Sequence, residues 1–351
     1  MIYTYSDGPI YHPLYDEMHK RLLAYLMLRP QPRIYLLLGP TGVGKTSIAE
    51  EIERDIIENY SGIGNGAAPC VYVSAASADN RVFSFKDLYL RLLAKLDEPF
   101  VGNKMPYHIS QSGQIVWNRV PIRERAKYTL RLSVERALHE RQCKVLLIDE
   151  AQSMVQSRTA KAAYSAVETL KTFLNSLGIN LVLIGNDELL DMTQYSDQFN
   201  RRIKTMVMSP YDVNNEEQLN QFVGIINSFS AKYRLKTNIN IMDSPHLQFL
   251  ITESLGCIGL LCDLLDDMAV ELDVHGADSM ARIKSLVKLN PTQAKVIADR
   301  RAEFDNALVL GKANIHYEKR SADKPRKRVE PKPERRLVAA HGLDKAEPTD
   351  T

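Results

Sequence analysis

The sequence predicts an α/β protein in which a five-stranded parallel sheet is covered by helices on both faces. Three observations predict it. Five short apolar runs, Ile34–Leu38, Val71–Ser74, Val145–Ile148, Leu181–Ile184 and Met206–Met208, alternate with segments of helical periodicity. The first run leads directly into Gly39-Pro40-Thr41-Gly42-Val43-Gly44-Lys45-Thr46-Ser47, after which Ile48, Ile52 and Ile56 share one helical face. The third run ends in the acidic pair Asp149-Glu150.

The elements follow in order. Residues 1–32 open with a loop holding Asp7-Gly8-Pro9 and Pro13, then a helix from Leu14 to Leu28 that Arg29-Pro30-Gln31-Pro32 ends. Residues 33–210 hold the sheet. Gly62, Gly64 and Gly66 make a loop after the second helix, and Phe85–Leu96 is amphipathic, with Leu88, Leu92, Leu93 and Leu96 on one face. The stretch 97–121 is irregular, broken by Pro99, Gly102, Pro106, Gly113 and Pro121. Helices are expected over Ile122–Glu140 and Ala160–Leu177, and Ser209-Pro210 ends the last strand. Beyond it, 215–232, 244–255, 258–275, 279–288 and 291–308 all read as helical, which makes 211–318 an all-helical module. From Lys319 to Arg336, nine basic residues stand among prolines against three acidic ones. Such a segment buries too little apolar surface to fold, so 319–351 is expected to be disordered.

Composition narrows the class without naming it. A chain of 351 residues, 44% hydrophobic and 25% charged, has the make-up of a soluble globular protein, and its net charge of +2 is uninformative as a total. Cys70, Cys143, Cys257 and Cys262 have no C-x-x-C spacing and no histidines beside them. They read as core or boundary residues of a protein in a reducing compartment. The first residues lack a signal-peptide pattern, and no apolar run is long enough to span a membrane.

The chemistry lies at the strand ends. Gly39 to Thr46 fits G-x-x-x-x-G-K-[ST] between a strand and a helix. The glycines let backbone N–H groups curl around the phosphates of a nucleotide, Lys45 neutralises the β- and γ-phosphates, and the Thr46 hydroxyl can ligate Mg²⁺. Pro40, Thr41, Gly42, Val43 and Ser47 complete the cradle. At the end of the third strand, Asp149 is placed to hold Mg²⁺ through water and Glu150 to polarise a water attacking the γ-phosphorus. The fourth strand ends in Gly185-Asn186, whose amide can contact the γ-phosphate and orient that water. Arg201 and Arg202 precede the fifth strand. One of the two, Arg202 first, suits a finger that stabilises transition-state charge in a neighbouring subunit.

Together these residues resemble the AAA+ ATPases, over residues 33 to about 275. The Asp149–Gln152 run, a compact lid and a basic tail resemble more narrowly the TnsC/TniB group of transposition regulators. That resemblance implies an ATP- and Mg²⁺-dependent homo-oligomer, ring or helix, in the bacterial cytoplasm. It implies assembly on duplex DNA, a choice of target site, and engagement of a transposase and a target-selection protein. It also places DNA-facing residues in 100–128, where Lys104, Arg119 and Arg123 are the candidates, with Arg125, Lys127 and Trp117 nearby. One departure stands out. AAA+ lids carry an arginine after a Gly-containing turn, whereas Gly256-Cys257-Ile258-Gly259-Leu260-Leu261 has none. Slow, switch-like hydrolysis is expected, unless Arg282 substitutes from elsewhere.

Other readings stay open. A replication loader or initiator shares the motifs, though such proteins usually carry a separate DNA-reading domain. A secretion-associated ATPase shares them too, but no peptidoglycan-binding or membrane segment is legible. A GTPase would want Asn-Lys-x-Asp, and Asn103-Lys104-Met105-Pro106 fails at the fourth place. An ATP-binding scaffold with negligible turnover is favoured by the missing lid arginine and opposed by Glu150. The tail reads either as a non-specific DNA tether or as a docking peptide for the transposase.

Overall fold

The computed structural model describes residues 12–28, 32–60, 64, 66–75, 83–98, 107–109, 115–117, 122–155, 160–194, 201–232, 242–275 and 302. The chain divides into two units, Met1–Ala313 and Asn314–Thr351, and every described residue lies in the first. The expected helices at 279–288 and 291–308, Arg282 and the basic tail lie outside the described residues.

In chain order the elements are α1 (Pro13–Leu28), β1 (Ile34–Leu38), α2 (Lys45–Asn59), β2 (Cys70–Ser74), α3 (Phe85–Lys95), β3 (Tyr107–Ile109), β4 (Ile115–Trp117), α4 (Ile122–Glu140), β5 (Val145–Asp149), α5 (Ala160–Leu177), β6 (Asn180–Gly185), β7 (Ile203–Val207), α6 (Glu216–Lys232), α7 (Ser244–Ser254) and α8 (Ile258–His275). Five strands form one parallel sheet in the order β2-β5-β6-β1-β7. Two expectations are corrected. The fifth strand covers Ile203–Val207 and not 206–208, because Ile203 already pairs with Ile34 on β1. The irregular stretch 97–121 contains an antiparallel hairpin, with Tyr107 opposite Trp117. Three-residue strands among prolines and glycines are too short to show a period.

The apolar runs are continuous because both faces of the sheet are buried. Ile34, Leu36, Leu38, Leu146, Ile148, Leu181 and Leu183 face one cluster, built with α3, α4 and α5. Their alternates Tyr35, Leu37, Val145, Leu147, Val182 and Ile184 face the other, built with α1 and α2. Truncating any of these fully buried side chains costs about 2–5 kcal/mol. The edge strand β7 exposes Lys204 and Thr205, a charge and a polar group that discourage further strand pairing. The helices α6, α7 and α8 form a third core around Tyr211, Phe222, Ile226, Leu250, Leu261 and Leu265.

Helix α1 ties this lid to the sheet through His12. The backbone N–H of Tyr15 donates to His12 Nδ1 at 3.4 Å. That nitrogen is therefore an acceptor, and the Tyr211 hydroxyl donates to it at 2.7 Å. Burial pulls the imidazole pKa down from 6.5 to about 4, against the opposite pull of Asp16. The unfolded chain takes up this proton near its ordinary pKa and the folded chain only near 4. Between those values the unfolded state binds more protons, so stability falls as pH falls. The full loss is about 3 kcal/mol. Urea unfolding at pH 7 and pH 4.5 should show the parent losing at least about 1 kcal/mol more than His12→Gln, whose side chain does not titrate.

Candidate active site

Three strand ends build the site. The Gly39 N–H donates to the Gly185 carbonyl at 3.2 Å, which ties the loop after β1 to the end of β6. A Cβ on Gly39 would stand 2.6 Å from the Met208 carbonyl oxygen, so no other residue fits. Gly42 and Gly44 take left-handed φ of 85° and 93°. Helix α2 begins at Lys45 with no side chain capping it. Its first N–H groups and its dipole face the loop, an arrangement suited to phosphate. Lys45 Nζ donates to the carbonyls of Gly39 and Pro40, each at 2.8 Å. Burial lowers its pKa, opposed by the nearby Asp149, Glu150 and Cys257.

Asp149, only 4% exposed, is the centre of the acidic wall. Its Oδ2 accepts from the Thr46 hydroxyl at 2.8 Å and from the Tyr72 phenol at 2.9 Å. Its Oδ1 accepts from the Glu150 N–H at 2.7 Å. Thr46 and Asp149 thus put a hydroxyl and a carboxylate side by side on the phosphate loop, hard oxygen donors that fit Mg²⁺. No group of three or more metal-ligating side chains occurs among the described residues. A site with one protein carboxylate and otherwise water and phosphate oxygens suits Mg²⁺ better than metals needing a protein cage.

Glu150 has left-handed backbone geometry, φ 51°. A non-glycine residue held there carries strain of about 1–2 kcal/mol, a cost found at functional sites. Its carboxylate accepts from Gln152 Nε2. The other end of the Gln152 amide packs on Gly185, where a Cβ would stand 2.3 Å from Gln152 Oε1. Asn186 Oδ1 accepts from the Glu188 N–H at 3.2 Å, so the Asn186 side chain offers its NH₂ as a donor.

The lid touches the phosphate loop directly. The Gly259 N–H donates to the Gly42 carbonyl at 2.7 Å, and the Cys257 thiol donates to the Thr41 carbonyl at 3.5 Å. Helix α8, which starts here, contains neither lysine nor arginine. None of the four cysteines is in a disulfide. Beside Val43, a cleft of about 220 Å³ is lined by His12, Tyr15, Met208, Pro210 and Gln218 among others.

The sheet register puts the arginine pair elsewhere. Arg201 and Arg202 precede β7, and the Arg202 carbonyl accepts from the Ile34 N–H at 3.0 Å, at the start of β1. The phosphate loop follows the other end of β1, about 17 Å away for five strand residues. Both arginines are exposed, and with Arg33 and Asn175 they line a cleft of about 370 Å³. Arg202 donates to Asn175 Oδ1. Lys104 and Arg119 lie outside the described residues; Arg123 is in α4, but its side chain is not described.

Lys45, Thr46, Asp149 and Glu150 therefore converge, Asn186 follows the Gly185 that is bonded to the loop, and Arg201 and Arg202 do not join them. The sequence did not reveal Tyr72, Gln152 or the contact of Gly259 with Gly42. Tyr72 was legible only through strand parity, because it pairs with Leu147, two residues before Asp149 on the same face of β5.

These features define a P-loop nucleotide-binding protein. A family model described as an AAA domain matches residues 29–193. The fold is similar to that of the ORC2 protein of Aeropyrum pernix in its ADP form, with a TM-score of 0.53 and 15% identity, covering 85% of this chain and 72% of that one. It is also similar to the Aeropyrum pernix ORC1 protein solved in complex with DNA, with a TM-score of 0.51 and 15% identity, covering 84% of this chain and 66% of that one. No curated protein matches the sequence. The architecture is the AAA+ P-loop ATPase fold. No described helix is long and apolar enough to cross a membrane.

A Cβ on Gly259 would stand 2.6 Å from the Cα and carbonyl oxygen of Gly42. Gly259→Ala is expected to push the lid off the phosphate loop. Proteolysis of the folded chain should then cut the lid faster than in the parent, and an unchanged digestion rate would count against the contact.

Proposed function

We propose that this protein is an ATPase whose nucleotide state controls its assembly on duplex DNA. The observation that carries the enzymatic part is the meeting of Thr46, Asp149 and Glu150 beside the phosphate loop. The loop N–H groups and Lys45 bind the triphosphate, and the cleft beside Val43 takes the base. Thr46 and Asp149 would hold Mg²⁺, which would supply positive charge against the phosphates when bound. Glu150 accepts the proton of the attacking water, and the Asn186 amide orients that water against the γ-phosphate. Slow turnover fits a lid whose α8 brings no cation to the site.

Arg201 or Arg202 acts in trans. Each lies at the end of the strands opposite its own phosphate loop, a place from which it would serve the γ-phosphate of the next subunit in a ring or helix. DNA binding is supported by the sequence resemblance to transposition regulators and by the ORC1 protein having been solved with DNA. Lys104, Arg119 and Arg123 are the proposed phosphate contacts, and binding is indifferent to base sequence. The finer role is that of a TnsC/TniB-type regulator that selects the target site and recruits a transposase, with residues 319–351 as tether or docking segment. A replication-initiator role is the second reading, favoured by the structural similarity to ORC2 and ORC1 of Aeropyrum pernix.

The test is Glu150→Gln on the full chain. The expected variant binds ATP as the parent does, loses turnover by about 100-fold or more, and stays assembled on DNA when ATP is present. Parental turnover would remove Glu150 from the base role. Assembly that ignores nucleotide would remove the switch. Assembly confined to one short DNA sequence would favour the initiator reading.

A further inference from the structure

We propose that Tyr72 is a positioning residue for Mg²⁺-nucleotide binding: its phenol fixes the Asp149 carboxylate so that Thr46 and Asp149 form one prearranged metal site. The proposal rests on the reading of Thr46 and Asp149 as the Mg²⁺ residues.

Tyr72 sits on β2, the strand beside β5 at one edge of the sheet. Its N–H donates to Glu53 Oε1 at 3.0 Å, which pins the middle of β2 to α2. Its ring is half-buried against the cluster formed by α1, α2 and the sheet. A phenylalanine would pack there equally well, so packing does not account for the hydroxyl. The hydroxyl reaches Asp149 Oδ2 at 2.9 Å, and the Thr46 hydroxyl reaches the same oxygen at 2.8 Å.

The sharing has a chemical consequence. A threonine hydroxyl that ligates a cation uses a lone pair of its oxygen, so its proton must point to a fixed acceptor. Asp149 Oδ2 is that acceptor. The Glu150 N–H holds Oδ1, and the Tyr72 phenol adds a second donor to the Oδ2 that Thr46 uses, so that oxygen is fixed from β2 as well as from α2. Groups that orient metal ligands in this way typically change metal affinity by about 10–100-fold when removed.

The experiment uses the full chain and Tyr72→Phe. A fluorescent ADP analogue is titrated without Mg²⁺, in chelator, and then at increasing Mg²⁺, with thermal unfolding measured alongside. The expected variant binds the analogue in chelator as the parent does and melts at the parent temperature. Its half-saturating Mg²⁺ rises by about 10-fold. An unchanged half-saturating Mg²⁺ would overturn the proposal. So would an equal loss of affinity in chelator, because the phenol would then support the phosphate pocket as a whole. If Tyr72→Phe melts early, the Mg²⁺ titration is repeated below its transition temperature, where the folded variant should still need about 10-fold more Mg²⁺ than the parent and an equal half-saturating value would overturn the proposal. A parent chain that binds the analogue with no response to Mg²⁺ would instead refute the metal reading of Thr46 and Asp149, and this assignment with it.

Discussion

The structure depends on satisfying the buried Asp149 carboxylate with donors on both of its oxygens. A carboxylate removed from water is costly unless its lone pairs are filled by donors. Here a threonine from α2, a tyrosine from β2 and the following backbone N–H fill them. Those donors come from three separate parts of the chain. They meet only if β2 and β5 are adjacent, parallel and in register, with Ser74 opposite Asp149. The requirement therefore reaches back into the sheet order and into the two hydrophobic clusters that sandwich it.

The phosphate loop is held on its far side by different means. Gly39 is tied to the end of β6, and Gly42 to Gly259 of the lid. Both contacts use backbone atoms, and a Cβ would meet the Met208 carbonyl oxygen at Gly39 and the Gly42 backbone at Gly259. A lid seated on the loop through a glycine–glycine contact is coupled to the loop's position through backbone atoms. That suits a protein in which nucleotide sets a conformation and hydrolysis resets it. Arg201 and Arg202 lie at the other end of the strands, exposed and about 17 Å from the loop.

Much of this was legible in the sequence, for identifiable reasons. The five strands were visible because both sheet faces are buried and the runs Ile34–Leu38 and Val145–Ile148 are unbroken by polar residues. Lys45, Thr46, Asp149 and Glu150 were visible because phosphate and Mg²⁺ chemistry demands fixed spacing along one loop or one strand end. The start of β7 was missed because Lys204 and Thr205 interrupt its apolar pattern, as befits an exposed edge. Tyr72 and Gly259 were missed because their roles come from tertiary contacts, and a tyrosine in a strand or a glycine at a helix start has many ordinary uses. The hairpin β3–β4 is too short for periodicity to register.

The central claim is that one Mg²⁺-nucleotide binds per chain at the loop gathered around Lys45. Calorimetric titration of a non-hydrolysable ATP analogue with Mg²⁺, into the parent and into a folded Lys45→Ala variant, tests it most directly. The account predicts one site per chain and an affinity lower by about 10- to 100-fold in the variant, the cost of losing a charge-assisted bond to phosphate. Equal affinity in the two proteins would contradict it.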